Sequence, residues 1–156
     1  MYLESCELNG TTGHEAGRAL LARLYRKHAG EALPPIAVTD RGKPYFAGSP
    51  WHFSITHTPR HAFCALSLRP IGIDAEELDR QINLKLAEKI LSPEEKRQFD
   101  ASPHRHRALL TFWVLKEAAA KLSGEGLRGY PNRTNFTLTD PRVTEINGCL
   151  LAVMEE

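Results

Sequence analysis

The chain has 156 residues, of which 42% are hydrophobic and 25% charged, enough to bury a core of its own as one globular domain. Twenty basic side chains against nineteen acidic ones leave a formal charge of +1, so the composition lacks the positive field of a nucleic-acid or membrane-surface protein. Three scattered cysteines without a C-x-x-C pair indicate neither a disulfide framework nor a zinc knuckle.

The longest apolar run, residues 62–66 with Leu68 just beyond, is far too short to span a bilayer. The opening Met1-Tyr2-Leu3-Glu4 lacks the basic and apolar regions of a signal peptide, so a cytoplasmic chain is expected. Over residues 13–28, Ala16, Ala19, Leu20, Leu24 and Tyr25 recur at helical spacing, and Gly30 with Pro34-Pro35 ends the helix they predict. A turn-rich stretch containing Arg41-Gly42-Lys43-Pro44 follows. Alternation predicts a strand over 51–56, and residues 62–68 and 71–75 read as two more, with Arg69-Pro70 between them as a turn or bulge.

Ser92-Pro93-Glu94-Glu95 predicts a helix start, with a serine cap, proline at the first helical position and an acid three residues after the cap. Ser102-Pro103 predicts a second start, its helix running to about Ser123 and stopped by Gly124-Glu125-Gly126. Alternation over 135–139 and 143–153 predicts closing strands turned by Asn147-Gly148. Strands in runs, without regular βαβ alternation, indicate an α+β fold with mainly antiparallel sheets.

Four segments carry side chains suited to chemistry. In Asp74-Ala75-Glu76 the two carboxylates share one strand face and suit Mg²⁺, although a solvated acidic strand end has the same pattern. In Trp113-Val114-Leu115-Lys116-Glu117-Ala118-Ala119-Ala120-Lys121, Glu117 and Lys121 are i,i+4 neighbours. On an open surface such a pair is worth about 0.3–0.5 kcal/mol, but the apolar, small-sided surroundings make it a partly desolvated one. Phe53-Ser54-Ile55-Thr56-His57-Thr58 ends a strand on a histidine able to donate to phosphate, or one that is simply satisfied in place. Arg41-Gly42-Lys43-Pro44 is a polar turn, or a loop laid along a flat ligand ring with Lys43 reaching a phosphate. His61 and His104-Arg105-His106 have no cysteine or third histidine at a ligand spacing, so no zinc site is expected.

In this order, Gly42-Lys43-Pro44, Phe53 to Thr58, Ile71-Gly72-Ile73-Asp74-Ala75-Glu76 and Trp113 to Lys121 with Gly124-Glu125-Gly126-Leu127, the segments resemble the 4'-phosphopantetheinyl transferase superfamily. The resemblance is to a short member of its surfactin-synthetase-activating (Sfp-type) branch, over more than half the chain. It implies an enzyme of holo-acyl-carrier-protein synthase type, which moves the phosphopantetheine arm of coenzyme A onto a serine of an apo acyl or peptidyl carrier protein and releases 3',5'-ADP. The implied fold is a pseudo-twofold pair of α+β lobes, about 1–68 and 69–156 of one domain, with coenzyme A in the cleft between them.

Carried over by position, Asp74, Glu76 and Glu117 hold Mg²⁺, with Mn²⁺ as the alternative ion. Glu117 takes the serine proton, directly or through a metal-bound water, and Lys121 meets the phosphates. Thr56 and His57 contact coenzyme A phosphates, and Lys43 and Pro44 lie along the adenine. Lys116 is expected to point off the Glu117–Lys121 face. A monomer is expected, with no nucleic-acid or membrane partner, and Arg60, Arg80, Arg105 and Arg107 are either carrier-docking charges or plain solvated arginines. Two other readings stand beside this one. The first is a non-catalytic module that binds coenzyme A or a carrier. The second is a metal-dependent nuclease built on Asp74 and Glu94-Glu95-Lys96, which the Ser92-Pro93 helix start disfavours.

Overall fold

A computed structural model describes residues 1–127 and 134–156 of the chain. Its elements are β1 (Tyr2–Glu7), α1 (Gly13–Ala29), β2 (Ile36–Val38), β3 (Pro44–Phe46), β4 (His52–His57), β5 (His61–Ser67), β6 (Ile71–Glu77), a 3-10 turn (Leu84–Leu86), α2 (Ala87–Ile90), α3 (Pro93–Ala101), α4 (Arg105–Ser123), β7 (Val143–Ile146) and β8 (Cys149–Glu155). Every strand pairing is antiparallel, in sheets ordered β1-β5-β4, β2-β3 and β6-β8-β7. The fold is α+β. No helix among the described residues is long and apolar enough to cross a membrane.

Strand alternation decides how the layers stack. On β5, Ala62, Cys64 and Leu66 pack with Leu20, Leu21 and Leu24 of α1. The intervening Phe63 and Ala65 pack instead with Ile71, Ile73 and Ala75 of β6 and Cys149 and Leu151 of β8. The opposite face of β8, Leu150, Ala152 and Met154, meets α4 through Leu109, Phe112 and Leu115. Each large sheet therefore has a helix on its outer face and the other sheet against its inner face, as the two-residue period of a strand requires.

Helix α4 lies unusually close to β6, and Gly72 is the reason. A Cβ on Gly72 would stand 2.2 Å from the Ala118 carbonyl oxygen and 2.4 Å from the Leu122 nitrogen. Only a residue without a side chain lets the helix backbone rest on the strand there.

The helix ends at Gly30, Ser92 and Gly124 are those the sequence predicts, and Thr12 adds a cap that it does not announce. Thr12 with Glu15 and Ser92 with Glu95 form capping boxes at α1 and α3, and Gly30 and Gly124 close α1 and α4 in the left-handed conformation, each at φ 74°. Two expectations are corrected, and some elements are not expected at all. The long helix begins at Arg105 rather than at Ser102-Pro103, because Ser102 ends α3 by donating its N–H to the Phe99 carbonyl. Residues 135–139 form no strand. Their backbone is held by α3 side chains instead: Glu95 accepts the Phe136 N–H, and Gln98 bonds both the Phe136 carbonyl and the Leu138 N–H. Finally, β1, the short β2-β3 hairpin and the 84–90 helical segment are elements that alternation does not announce, since their partners lie far away in sequence or their runs are three or four residues long.

Candidate active site

Strand β4 lies along β6 and is joined to it by two side chains. Ser54 Oγ accepts the Ile73 N–H at 3.0 Å, and Thr56 Oγ1 donates to Asp74 Oδ1 at 3.0 Å. The same Asp74 oxygen accepts from Lys121 Nζ of α4 at 2.6 Å. Asp74 is only 6% exposed, so its charge depends on these two donors. Two residues along the same strand face, Glu76 accepts from the Arg80 guanidinium and from the Trp113 side chain. Arg80 stacks over the Trp113 ring, 5.5 Å from its centroid. Trp113, Glu117 and Lys121 are spaced by four residues and form one stripe of α4 turned toward β6.

Burial raises the Asp74, Glu76 and Glu117 carboxyls above their ordinary values. Lys121 and Thr56 oppose the rise at Asp74, and Arg80 opposes it at Glu76. At Glu117 the neighbouring Asp74 adds to the rise, ahead of the opposing Lys121. Three carboxylates thus face two cations, in surroundings where negative charge is unfavourable. The carboxylates are coupled but not gathered. Among the described residues, the one group whose ligand atoms all lie within 4.8 Å of one another is elsewhere.

A cavity of about 310 Å³ opens beside this cluster, bounded by Gly42, Lys43 and Pro44 on one side and by Glu117, Lys121 and Gly124 on the other. Its loop wall is a tight turn: Gly42, at φ 88°, donates to the Thr39 carbonyl, and the Lys43 N–H donates to Thr39 Oγ1. Lys43 does not extend into open space. Its ammonium donates to the Leu122 carbonyl, an orphan acceptor at the end of α4, while Arg41 pairs with Glu125 at 3.0 Å. Partial burial lowers the Lys43 pKa accordingly. A second cavity, about 390 Å³, borders His57, Glu76 and Arg80 on the far side of the cluster. His57 is exposed, with its ring against the first residue of α1, where a Cβ on Gly13 would come within 2.3 Å of it.

The structure brings together Thr56, Asp74, Glu76, Glu117 and Lys121, and it sets Lys43, Pro44 and His57 at the cavity margins. Lys116 turns the other way and forms a fully buried pair with Glu95 at 2.7 Å. Glu95 also accepts the Ser92 and Phe136 N–H groups. Glu94-Glu95-Lys96 therefore lies in the first turns of α3 with its middle carboxylate buried, which is not the strand-borne acid and lysine that a nuclease requires. The four arginines considered for docking are all engaged: Arg60 with Glu77 and Asp79, Arg80 with Glu76, Arg105 with the Asp100 carbonyl and Arg107 with Glu145.

A family model described as the 4'-phosphopantetheinyl transferase superfamily matches residues 70–152, more than half of the chain and the whole span from β6 into β8. The chain belongs to this superfamily. It is 34% identical over 123 residues to the 4'-phosphopantetheinyl transferase psf-1 of Bacillus pumilus, covering 72% of this chain and 52% of that protein. It is 33% identical over 95 residues to a 4'-phosphopantetheinyl transferase of Bacillus subtilis, covering 59% and 42%. It is 29% identical over 113 residues to the 4'-phosphopantetheinyl transferase Sfp of Bacillus subtilis strain 168, covering 70% and 49%. The chain spans about half the length of the curated relatives it matches. Among solved structures it is similar to the holo-acyl-carrier-protein synthase of Thermotoga maritima, at 28% identity and a TM-score of 0.38, over 54% of this chain and 60% of that one.

For a transferase-family chain, the donor set of the cluster fits a hard divalent cation. All three candidate ligands are carboxylates, as Mg²⁺ prefers, and burial leaves them short of positive charge. Lys121 holds one Asp74 oxygen and Arg80 one Glu76 oxygen, so an ion there would share these carboxylates with the two cations. Arg80, Trp113 and Ser54 are the site residues that sequence reasoning missed in these roles. Arg80 stands four residues after Glu76 across the short turn that ends β6, a reach that neither a strand nor a helix period announces. Trp113 was legible as the residue one turn before Glu117. Nothing local marks Ser54 as the clamp on the Ile73 N–H.

Proposed function

We propose that this chain is a 4'-phosphopantetheinyl transferase that moves the phosphopantetheine arm of coenzyme A onto a serine of an apo acyl or peptidyl carrier protein. One observation carries the reading: Glu117 and Lys121 of α4 line a cavity whose other wall is the Gly42-Lys43-Pro44 turn, with Asp74 of β6 bonded to Lys121 and both Asp74 and Glu76 close enough to act on the Glu117 charge. In this reading residues 1–68 and 69–156 are the two lobes of one transferase domain, and coenzyme A occupies the cleft between them.

Asp74, Glu76 and Glu117 hold the divalent ion, Mg²⁺ with Mn²⁺ as alternative. When bound, the ion would neutralise charge on the coenzyme A diphosphate as its adenosine-side phosphate becomes the leaving group. The Glu117 carboxylate, made a stronger base by burial and by the nearby Asp74, accepts the serine proton as the serine oxygen bonds to the phosphorus bearing the pantetheine arm. The bond from that phosphorus to the bridging oxygen breaks, and 3',5'-ADP leaves with the electron pair. Lys121 exchanges Asp74 for the phosphates and supplies a fixed positive charge in a partly dry site. Thr56 holds Asp74 in place and His57 meets the phosphates from the exposed rim. Pro44 and the backbone of Lys43 lie along the adenine, while the Lys43 ammonium keeps the loop attached to α4.

Intact-protein mass spectrometry of apo carrier proteins, incubated with coenzyme A and Mg²⁺ with and without chelator, tests the reading. A mass gain of one phosphopantetheine that chelator abolishes is expected. No gain on any carrier, together with measurable coenzyme A binding, would replace the transferase with a non-catalytic binding module. The same reading makes the chain a cytoplasmic monomer, and a trimer by size-exclusion chromatography with light scattering would overturn the monomer.

A further inference from the structure

The residues that do gather their ligand atoms within 4.8 Å are His61, Glu77 and Cys149. They come from the start of β5, the end of β6 and the start of β8, and nothing in the transferase reading uses them. Glu77 follows Glu76 in sequence, so its side chain leaves β6 on the opposite face, toward β5 rather than α4. No sequence spacing announces this set: Cys149 stands 88 positions from His61.

We infer that His61, Glu77 and Cys149 form a second metal site, for a borderline-soft ion of the zinc or cobalt class, that clips β5 to β6 and β8. The ligand spacing fits a tetrahedral ion. Metal–nitrogen and metal–oxygen bonds of about 2.0 Å and a metal–sulfur bond of about 2.3 Å place ligand atoms about 3.3–3.5 Å apart. His61 Nδ1 lies 3.2 Å from Glu77 Oε1 and 3.7 Å from Cys149 Sγ. The carboxylate is oriented from behind, as ligating groups generally are: Thr58 Oγ1 donates to Oε1 at 2.5 Å and Arg60 Nη2 to Oε2 at 2.6 Å.

Charge also balances. Arg60 bridges Glu77 and Asp79, so with a Cys149 thiolate the group carries three negative charges and one positive, leaving room for one divalent ion. Access exists on the His61 side, where a cavity of about 510 Å³ reaches Arg60, His61 and Asn9. Cys149 is wholly buried and the His61 side chain is 12% exposed, so an ion there sits at the edge of the inter-sheet core. The mixed nitrogen, sulfur and oxygen donors exclude Mg²⁺ as the natural occupant. Cys149 would bind as the thiolate, so the ion displaces its proton on binding.

Titration of the full chain with Co²⁺, followed by absorption, tests this site separately from the acidic cluster. The expected result is a near-ultraviolet thiolate-to-cobalt charge-transfer band with the intense visible bands of tetrahedral cobalt, saturating at one equivalent and displaced by Zn²⁺. The charge-transfer band disappears in Cys149→Ser. In His61→Asn, Co²⁺ affinity falls by about tenfold or more. The double variant Asp74→Asn/Glu117→Gln keeps the band unchanged. Zn²⁺ raises the melting temperature of the unmodified chain by several degrees, through preferential binding to the folded state, and leaves that of Cys149→Ser unmoved. Octahedral cobalt without a charge-transfer band, or a cobalt spectrum that Asp74→Asn/Glu117→Gln removes, would overturn the proposal and leave a hydrogen-bonded His61–Glu77 pair. If Cys149→Ser fails to fold, His61→Asn decides: an affinity equal to that of the unmodified chain overturns the site.

Discussion

Glu117 and Arg80 show how single side chains set the chemistry of the acidic cluster. The Glu117 carboxyl is raised by burial and then by Asp74, so replacing it with an uncharged isostere removes a repulsion from the folded protein. In Glu117→Gln, transfer is expected to fall by about 10²–10³-fold, the usual scale for loss of one electrostatic contributor to a transition state. The melting temperature of the metal-free chain is expected not to fall. A Glu117→Gln variant with full transfer activity would remove Glu117 from the mechanism. Arg80 argues the converse case. Its guanidinium pairs with Glu76, a candidate ligand of the divalent ion, and it is partly exposed, so its competition for the carboxylate charge is worth about 0.5–1 kcal/mol. Mn²⁺ is therefore expected to bind Arg80→Gln about two- to fivefold more tightly by calorimetry. Weaker binding would show instead that Arg80 orients Glu76 for the ion.

At the level of elements, the site is as good as the contact between β6 and α4. Asp74 and Glu76 come from the strand, Glu117 and Lys121 from the helix, and Gly72 sets the distance between the two backbones. Gly72→Ala must push the Ala118 carbonyl and the Leu122 nitrogen away from contacts of 2.2 and 2.4 Å. An overpacked core of this kind costs about 1–3 kcal/mol. Because the shift separates Lys121 from Asp74, transfer is expected to fall by more than the stability loss alone produces. Denaturant unfolding and the mass-spectrometric transfer assay, run on the same variant, check both parts, and unaltered stability would contradict the close contact.

The elements that build this contact were legible in the sequence because each carries a local signal. Ser92-Pro93 caps α3, Gly124 ends α4, Asn147-Gly148 turns β7 into β8, and β5 and β6 are short apolar runs separated by Arg69-Pro70. What stayed hidden is what only tertiary partners decide. Residues 135–139 alternate like a strand, yet Gln98 and Glu95 satisfy their backbone in place of a neighbouring strand. The Lys43 ammonium, read from sequence as a phosphate ligand, completes the end of a helix that lies 79 residues away. His61 and Cys149 looked unrelated until the two sheets packed.

Across the whole molecule, two sets of carboxyls pull stability in opposite directions with pH. Asp74, Glu76 and Glu117 have folded pKa values above the ordinary 3.8 and 4.5. Such groups favour folding while protonated, so their contribution is complete below the ordinary carboxylate range and is lost as pH rises through their folded values. Glu77 is the opposite case. Burial alone would raise it, but hydrogen bonds from Arg60, Thr58 and His61 outweigh burial and pull it from 4.5 to about 2. Its contribution is complete above 4.5 and is lost as pH falls toward 2. Asp140, lowered chiefly by Arg142 with burial opposing, behaves the same way. The metal-free chain is therefore expected to melt highest in mildly acidic solution, above the ordinary carboxylate range but below neutrality. Saturating Mg²⁺ lifts the neutral side of that profile alone, because the ion replaces the protons that the acidic cluster otherwise needs. Thermal melts from about pH 5 to about pH 8, with Mg²⁺ and with chelator, test this directly. A melting temperature that climbs steadily to neutrality in chelator would show that Lys121 and Arg80 already compensate all three buried carboxylates, and would remove the electrostatic reason for a metal at this site.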